Sequence, residues 1–217
     1  MKLNFLLIGE GSSDIRLTNH IENILIEEGF DEVSGEAPDL SLFPTPIGRS
    51  IKEKLSALMR FYPHADIIFV HRDADNAGVA QRLIEIKKAV DDLNLSINVI
   101  PIIPVTMLET WLLADVNAIK KIAGKPKTLS ISCIPAINRL ESCADTKRVL
   151  MDALCEASET QGHRLQKFKG RFCEMRARLT TDLDHSGPVN ELPSYKDFRL
   201  LISGMAENLL RSYQPKI

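Results

Sequence analysis

Two kinds of hydrophobic pattern alternate along the first half of the chain. Residues 3–8 are apolar apart from Asn4, which predicts a buried strand. Leu17, Ile21, Ile24 and Leu25 then recur at helical spacing. Ser12, Ser13 and Asp14 supply N-terminal caps and Gly29 a stop, so a helix is predicted to run to about Glu28. Residues 31–46 lack a clear period and carry three prolines, which predicts a loop with one short strand. Ile51, Leu55, Leu58, Met59 and Tyr62 predict a second helix over 49–62, ended by Pro63. Residues 65–71 predict a second buried strand. Val79, Leu83, Ile86, Val90 and Leu93 predict a helix over 77–93, and residues 97–103 predict a further strand. Near-continuous apolar strands alternating with amphipathic helices point to an α/β fold with a mainly parallel sheet flanked by helices.

After Pro104 the pattern turns helical. Helices are predicted over 107–123, 145–158, 164–180 and 194–212, with a loop at 125–135. The last carries Phe198, Leu201, Ile202, Met205 and Leu209 on one stripe. The expected organisation is an α/β core over 1–106 and a helical C-terminal extension over 107–217 packed on it.

Composition narrows the class. With 217 residues, 44% hydrophobic and 26% charged, the chain has the make-up of a globular protein and not of a disordered one. No apolar run approaches the roughly 18 residues of a membrane helix, and the first apolar stretch reads as a strand and not a signal peptide. Cysteines at 133, 143, 155 and 173 form no C-x-x-C pair. A zinc site is therefore not expected, and four reduced thiols in a cytoplasmic protein are. The net charge of −2 hides a division: residues 1–115 balance to −8, 116–180 to +7 and 181–217 to −1. An acidic first part suits a cation and a basic middle suits phosphates, although both also read as ordinary solvated surface.

The acids worth following sit where strands end, because ligands of parallel sheets bind beyond the carboxyl ends. Glu10 follows the first strand, and Asp73 and Asp75 follow the strand at 65–71. Two residues apart in extended chain, Asp73 and Asp75 are expected to face one ion together. Clustered carboxylates repel unless a cation intervenes, and hard oxygen donors suit Mg²⁺ or Mn²⁺. A lone Asp-x-Asp is more often a surface turn, Asp14 alone reads as a first-turn helix acid, and His71 as an ordinary strand-end residue.

Glu10-Gly11-Ser12-Ser13-Asp14 after one apolar strand and Asp73-Ala74-Asp75-Asn76-Ala77-Gly78 after another resemble the Toprim domain. That superfamily occurs in topoisomerases, bacterial primases, small ribonucleases and OLD-type nucleases. The resemblance covers about residues 3–106. A looser one, to the small stand-alone bacterial Toprim-like family (domain of unknown function 4276), extends over nearly the whole chain through Leu108-Glu109-Thr110-Trp111 and Leu192-Pro193-Ser194-Tyr195. The resemblance implies that Glu10 is a general acid/base or metal ligand, that Asp73 and Asp75 hold a divalent ion, and that Glu109 completes a second metal site. Asp14, Arg72 and Asn76 become supporting or phosphate-contacting groups. The chain departs from the larger members: Tyr62, Tyr195 and Tyr213 stand in no recognisable nucleophile setting, and there is no zinc ribbon and no P-loop.

The segment from His163 to Phe172 interleaves Arg164, Lys167, Lys169 and Arg171 with Phe168 and Phe172. The aromatics are expected to pack inward and the cations to grip a phosphate backbone. The first reading is thus a Mg²⁺- or Mn²⁺-dependent nuclease acting on DNA or RNA, with a role in phage defence by family analogy. A second is a non-catalytic component binding metal, nucleic acid, a partner protein or another copy of itself. A third, a nucleotide-sugar transferase, also places Asp-x-Asp after a strand but gives the Glu-Gly element no role.

Overall fold

The computed structural model describes residues 1–11, 14–127 and 130–213. Strands β1 (Lys2–Ile8), β2 (Glu32–Glu36), β3 (Ile67–His71) and β4 (Asn98–Ile102) form one all-parallel sheet in the order β2-β1-β3-β4. The chain moves outward from β1 to β2, crosses back to β3, and then moves outward to β4. The strand order therefore reverses between β1 and β3, which opens a crevice beyond their carboxyl ends.

The two-residue period of the strands sorts side chains onto two faces. Leu3, Phe5 and Leu7 of β1, with Ile67 and Phe69 of β3, join one core with α1 (Leu17–Glu27) and the C-terminal helices. Leu6, Ile8, Ile68 and Val70 join the other, beneath α2 (Ile51–Phe61) and α3 (Val79–Asp92). His71 shares the parity of Ile67 and Phe69, so it falls on the first face and is fully buried there. Helix α2 starts at a capping box in which Ser50 and Glu53 satisfy each other's backbone amides.

The helical extension comprises α4 (Glu109–Leu112), α5 (Val116–Ile122), α6 (Thr146–Ser158), α7 (Gly162–Lys169), α8 (Phe172–Thr181) and α9 (Pro193–Tyr213). It shares the first core. Trp111 is fully buried and donates to Ser194 Oγ at 2.9 Å. Phe172 is buried and Phe168 packs partly against the same core, as their spacing predicts. No helix among the described residues is long and apolar enough to cross a membrane, and all four cysteines are free.

Several element ends differ from expectation for local reasons. Helix α1 begins at Leu17 after a 3-10 turn at Asp14–Arg16, because the Asp14 carboxylate turns back to the preceding loop instead of capping forward. Ser12 and Ser13 lie outside the described residues. The helix expected over 107–123 breaks at Asp115, whose carboxylate accepts from the Ala118 amide at 2.9 Å and starts α5. The helix expected over 164–180 breaks at Gly170 and Arg171. Leu83 and Leu201, predicted to be core, are 41% and 43% exposed. Both line a cleft beside β4, the last strand, where no further strand lies beneath α3 and α9.

A buried polar chain ties α1 to α9: His20 Nδ1–H donates to the Leu183 carbonyl at 3.0 Å, and the Tyr195 hydroxyl donates to Nε2 at 2.9 Å. Burial pushes His20 down to about 4 and keeps it neutral. Below its ordinary value of 6.5 the unfolded chain binds a proton that the folded chain refuses until about pH 4. Stability is therefore expected to fall across that window, by about 3 kcal/mol from this group. Urea denaturation between pH 7 and pH 4 should show the slope, and His20→Gln should flatten it.

Candidate functional site

The crevice is built from the turn after β1, the end of β3 and residues of α4, α6 and α8. Gly9, Glu10 and Gly11 wrap over Asp14 so closely that a Cβ on Gly9 would lie 3.0 Å from the Asp14 Cβ. Asp14 Oδ2 accepts from the amides of Glu10 at 3.1 Å and Gly11 at 2.9 Å. The same oxygen lies 3.3 Å from His71 Nδ1, and His71 Nε2 lies 3.4 Å from Asp73 Oδ1. These are ion-pair contacts; neither ring nitrogen has a partner of hydrogen-bond geometry. Asp73 Oδ1 also accepts from the Leu108 amide at 2.9 Å, which fixes the start of the helical extension to the end of β3.

Arg176 reaches in from α8. Its Nε donates to Glu109 Oε1 at 2.7 Å, and its terminal nitrogens lie 3.4 and 3.5 Å from Asp14 Oδ1. Glu109 and Asp14 are both nearly inaccessible, so the guanidinium is their buried counter-charge. Glu10 instead points to a more open side, where Arg72 holds Oε1 at 2.8 Å. Arg72 also lies 3.3 Å from Glu85, and Arg82 lies 3.2 Å from Glu85 and 3.7 Å from Asp75.

The charges respond to this packing. Burial opposes the imidazolium of His71, but the carboxylates of Asp14 and Asp73 override it and raise the group to about 9. Burial likewise opposes ionised Asp14, yet His71, the Gly11 amide and Arg176 hold it well below the usual carboxylate range. Glu10 moves the other way. Burial raises it, Arg72 pulls it down, and the carboxylates of Asp73 and Asp75 push it up again, leaving it above its ordinary value.

A cavity of about 640 Å³ is lined by Glu10, Asp14, Asp73 and Glu109, with Arg16, Lys147 and Arg176 as its cations. Four of the acids expected at the site are thus brought to one place. Asp75 is not in that lining. The expectation that it would face the same side as Asp73 fails because the chain between them is not extended. Ala74 takes helical angles (φ −64°, ψ −36°), and Asp75 opens a 3-10 turn at φ +44°. Its charge still bears on Glu10. Asn76 is exposed in that turn, and Arg72 braces Glu10 and does not line the cavity. Arg164, Lys167, Lys169 and Arg171 are exposed on α7 and just after it and do not line the cavity; Arg171 is paired with Glu174 at 2.9 Å.

Arg176, Lys147 and Arg16 were not singled out by the sequence. Arg176 carried no local signal, since its partner Asp14 lies 162 residues away. Among the described residues no three His, Cys, Asp or Glu side chains converge closely enough to cage a metal ion. The donor set fits a different mode: Mg²⁺ keeps several waters and takes one or two carboxylates, and Asp73 uses only Oδ1 in its contacts with His71 and Leu108. No family model, no curated protein and no solved structure matches the chain.

Arg176→Met should leave Asp14 and Glu109 buried without their shared counter-charge. A loss of about 3–5 kcal/mol in urea denaturation is expected. Adding Glu109→Gln should restore part of it, and a double-mutant cycle with no coupling would contradict the assignment.

Proposed function

We propose that the chain hydrolyses phosphodiester bonds of nucleic acid with a bound Mg²⁺ or Mn²⁺ ion, at the cavity lined by Glu10 and Asp73. The observation that carries this reading is the meeting of those two carboxylates at the point where the strand order reverses. The resemblance of the Glu-Gly and Asp-x-Asp elements to Toprim supports it.

Asp73 would hold the ion, with Glu10 beside it and Asp75 adding to the negative field. An ion there would supply positive charge to the phosphoryl oxygens. Glu10 would take a proton from the attacking water, whose oxygen bonds to phosphorus as the P–O bond to the leaving oxygen breaks, and that oxygen would take its proton from solvent. Its raised affinity for protons suits that role better than an ordinary carboxylate's would. Arg72 keeps the carboxylate oriented. Lys147 and Arg16, both exposed at the cavity, contact the phosphates. Arg164, Lys167, Lys169 and Arg171 extend the cationic surface along which the strand runs.

A second reading keeps the binding and drops the turnover. It draws on the internal pairing of the acids, since Asp14, Glu10, Glu109 and Asp75 each already face a cation.

Labelled DNA and RNA oligonucleotides incubated with Mg²⁺ or Mn²⁺ separate the two. Cleavage should appear only with metal and should drop by about a hundredfold or more in Glu10→Gln and Asp73→Asn. Binding without cleavage under either ion would favour the second reading, and cleavage unchanged in both variants would remove Glu10 and Asp73 from the chemistry.

A further inference from the structure

We infer that the site takes an unpaired nucleotide whose base seats in a second cavity on the far side of Glu10. The inference deepens the phosphodiesterase reading and rests on it for the position of the phosphate. The cavity itself is independent of that reading.

This second cavity has a volume of about 300 Å³ and shares Glu10 and Gly11 with the larger one. A ligand can therefore lie across the Glu10 ridge with one end on each side. The two sides differ in chemistry. The larger cavity carries the exposed cations Arg16 and Lys147 among its carboxylates, and these two suit a phosphate backbone. The smaller one is walled by Ile15, Pro38, Leu40 and Leu58 and also lined by Asp39, Ser41 and Lys54, which suits a flat group with apolar faces and polar edges. Ile15 is 43% exposed at this wall, an aliphatic surface that a bound ring would cover.

Glu10, Asp39, Ser41 and Lys54 are the polar side chains of its lining, and Lys54 is the cation among them. Lys54 is partly buried, and its ammonium donates to the Gly9 carbonyl at 3.3 Å. An ammonium has three donors, so others remain for an acceptor on a ring edge. Burial and the neighbouring Arg72 disfavour its charge while Glu10, Asp14 and Glu85 favour it, and a carbonyl or ring nitrogen placed there would give the ammonium a further acceptor. Nucleobases combine an apolar face with such acceptors at the edge.

Entry sets strandedness. A cavity of about 300 Å³ has room for a base, and only a base turned out of its stack can enter it. A base still paired would have to leave its stack first, at a cost that single strands and frayed ends avoid. The substrate class is therefore single-stranded nucleic acid, or the unpaired end of a duplex.

Metal-free calorimetric or NMR titration tests this with uridine and guanosine 5′-monophosphates against ribose 5-phosphate. At least one of the two nucleotides should bind about tenfold more tightly than the baseless sugar phosphate. Ser41→Trp, an exposed position on the cavity wall, should abolish that difference and leave ribose 5-phosphate binding unchanged. Lys54→Met should weaken the nucleotide selectively. Equal binding of both nucleotides and the sugar phosphate, or a difference that survives Ser41→Trp, would overturn the inference. The two claims fail separately: cleavage lost in Glu10→Gln with no preference for a base leaves the phosphodiesterase and removes the base site. Base binding without cleavage does the reverse.

Discussion

A fully buried imidazole between two carboxylates sets the geometry at this end of the sheet. His71 lies 3.3 Å from Asp14 and 3.4 Å from Asp73. Without a positive charge between them the two acids would repel in a poorly screened environment. The imidazolium supplies that charge, and the acids in turn keep it protonated although burial opposes it. Its position is not adjustable, because His71 is a ladder residue of β3 paired with Ile102 of β4. The turn after β1 and the end of β3 are therefore held together by the chain's own charges.

Arg176 continues the arrangement outward. It joins Asp14, at the end of the α/β core, to Glu109, at the start of the helical extension. A buried ion pair of this kind gains little net stability, since desolvation offsets much of the attraction. Its effect is registration: a shift of α8 along the sheet would strand three buried charges at once. The Asp73–Leu108 and Trp111–Ser194 hydrogen bonds define the same register from other directions. The site thus belongs to both parts of the chain: Glu10, Asp14, Asp73 and Arg16 come from the α/β core, and Glu109, Lys147 and Arg176 from the helical extension.

The α/β class was legible because strands and helices carry different hydrophobic periods, and residues 3–8 and 65–71 show theirs cleanly. Glu10 and Asp73 were legible for a related reason: an acid directly after a buried strand must emerge at the sheet's carboxyl edge. Asp75 misled because its direction depends on the backbone angles of Ala74, which no pattern of side chains reports. Arg176 was hidden because the choice of counter-ion for a buried acid is a tertiary fact. The break at Asp115 had a sequence signal, an acid before a helical run, but the apolar residues on both sides obscured it. The small cavity was out of reach for the same reason as Arg176, since Ile15, Leu40 and Lys54 come from three separate segments.

The pairing of the acids also separates them by function. Asp14 is bound to two backbone amides, His71 and Arg176, so no approaching cation can recruit it without dismantling the turn. Glu10 is held differently. Its partner Arg72 is partly exposed, already lies 3.3 Å from Glu85, and has an Nε with no hydrogen-bond partner among the described residues. Releasing Glu10 therefore leaves Arg72 with a carboxylate to face, which lowers the cost of the exchange. Of the acids in the crevice, Glu10 is the one whose present contact can be traded for another at low cost. The proposed role, in which Glu10 would pick up and return a proton, calls for that freedom, and the rigid charges behind it keep the exchange from spreading into the fold.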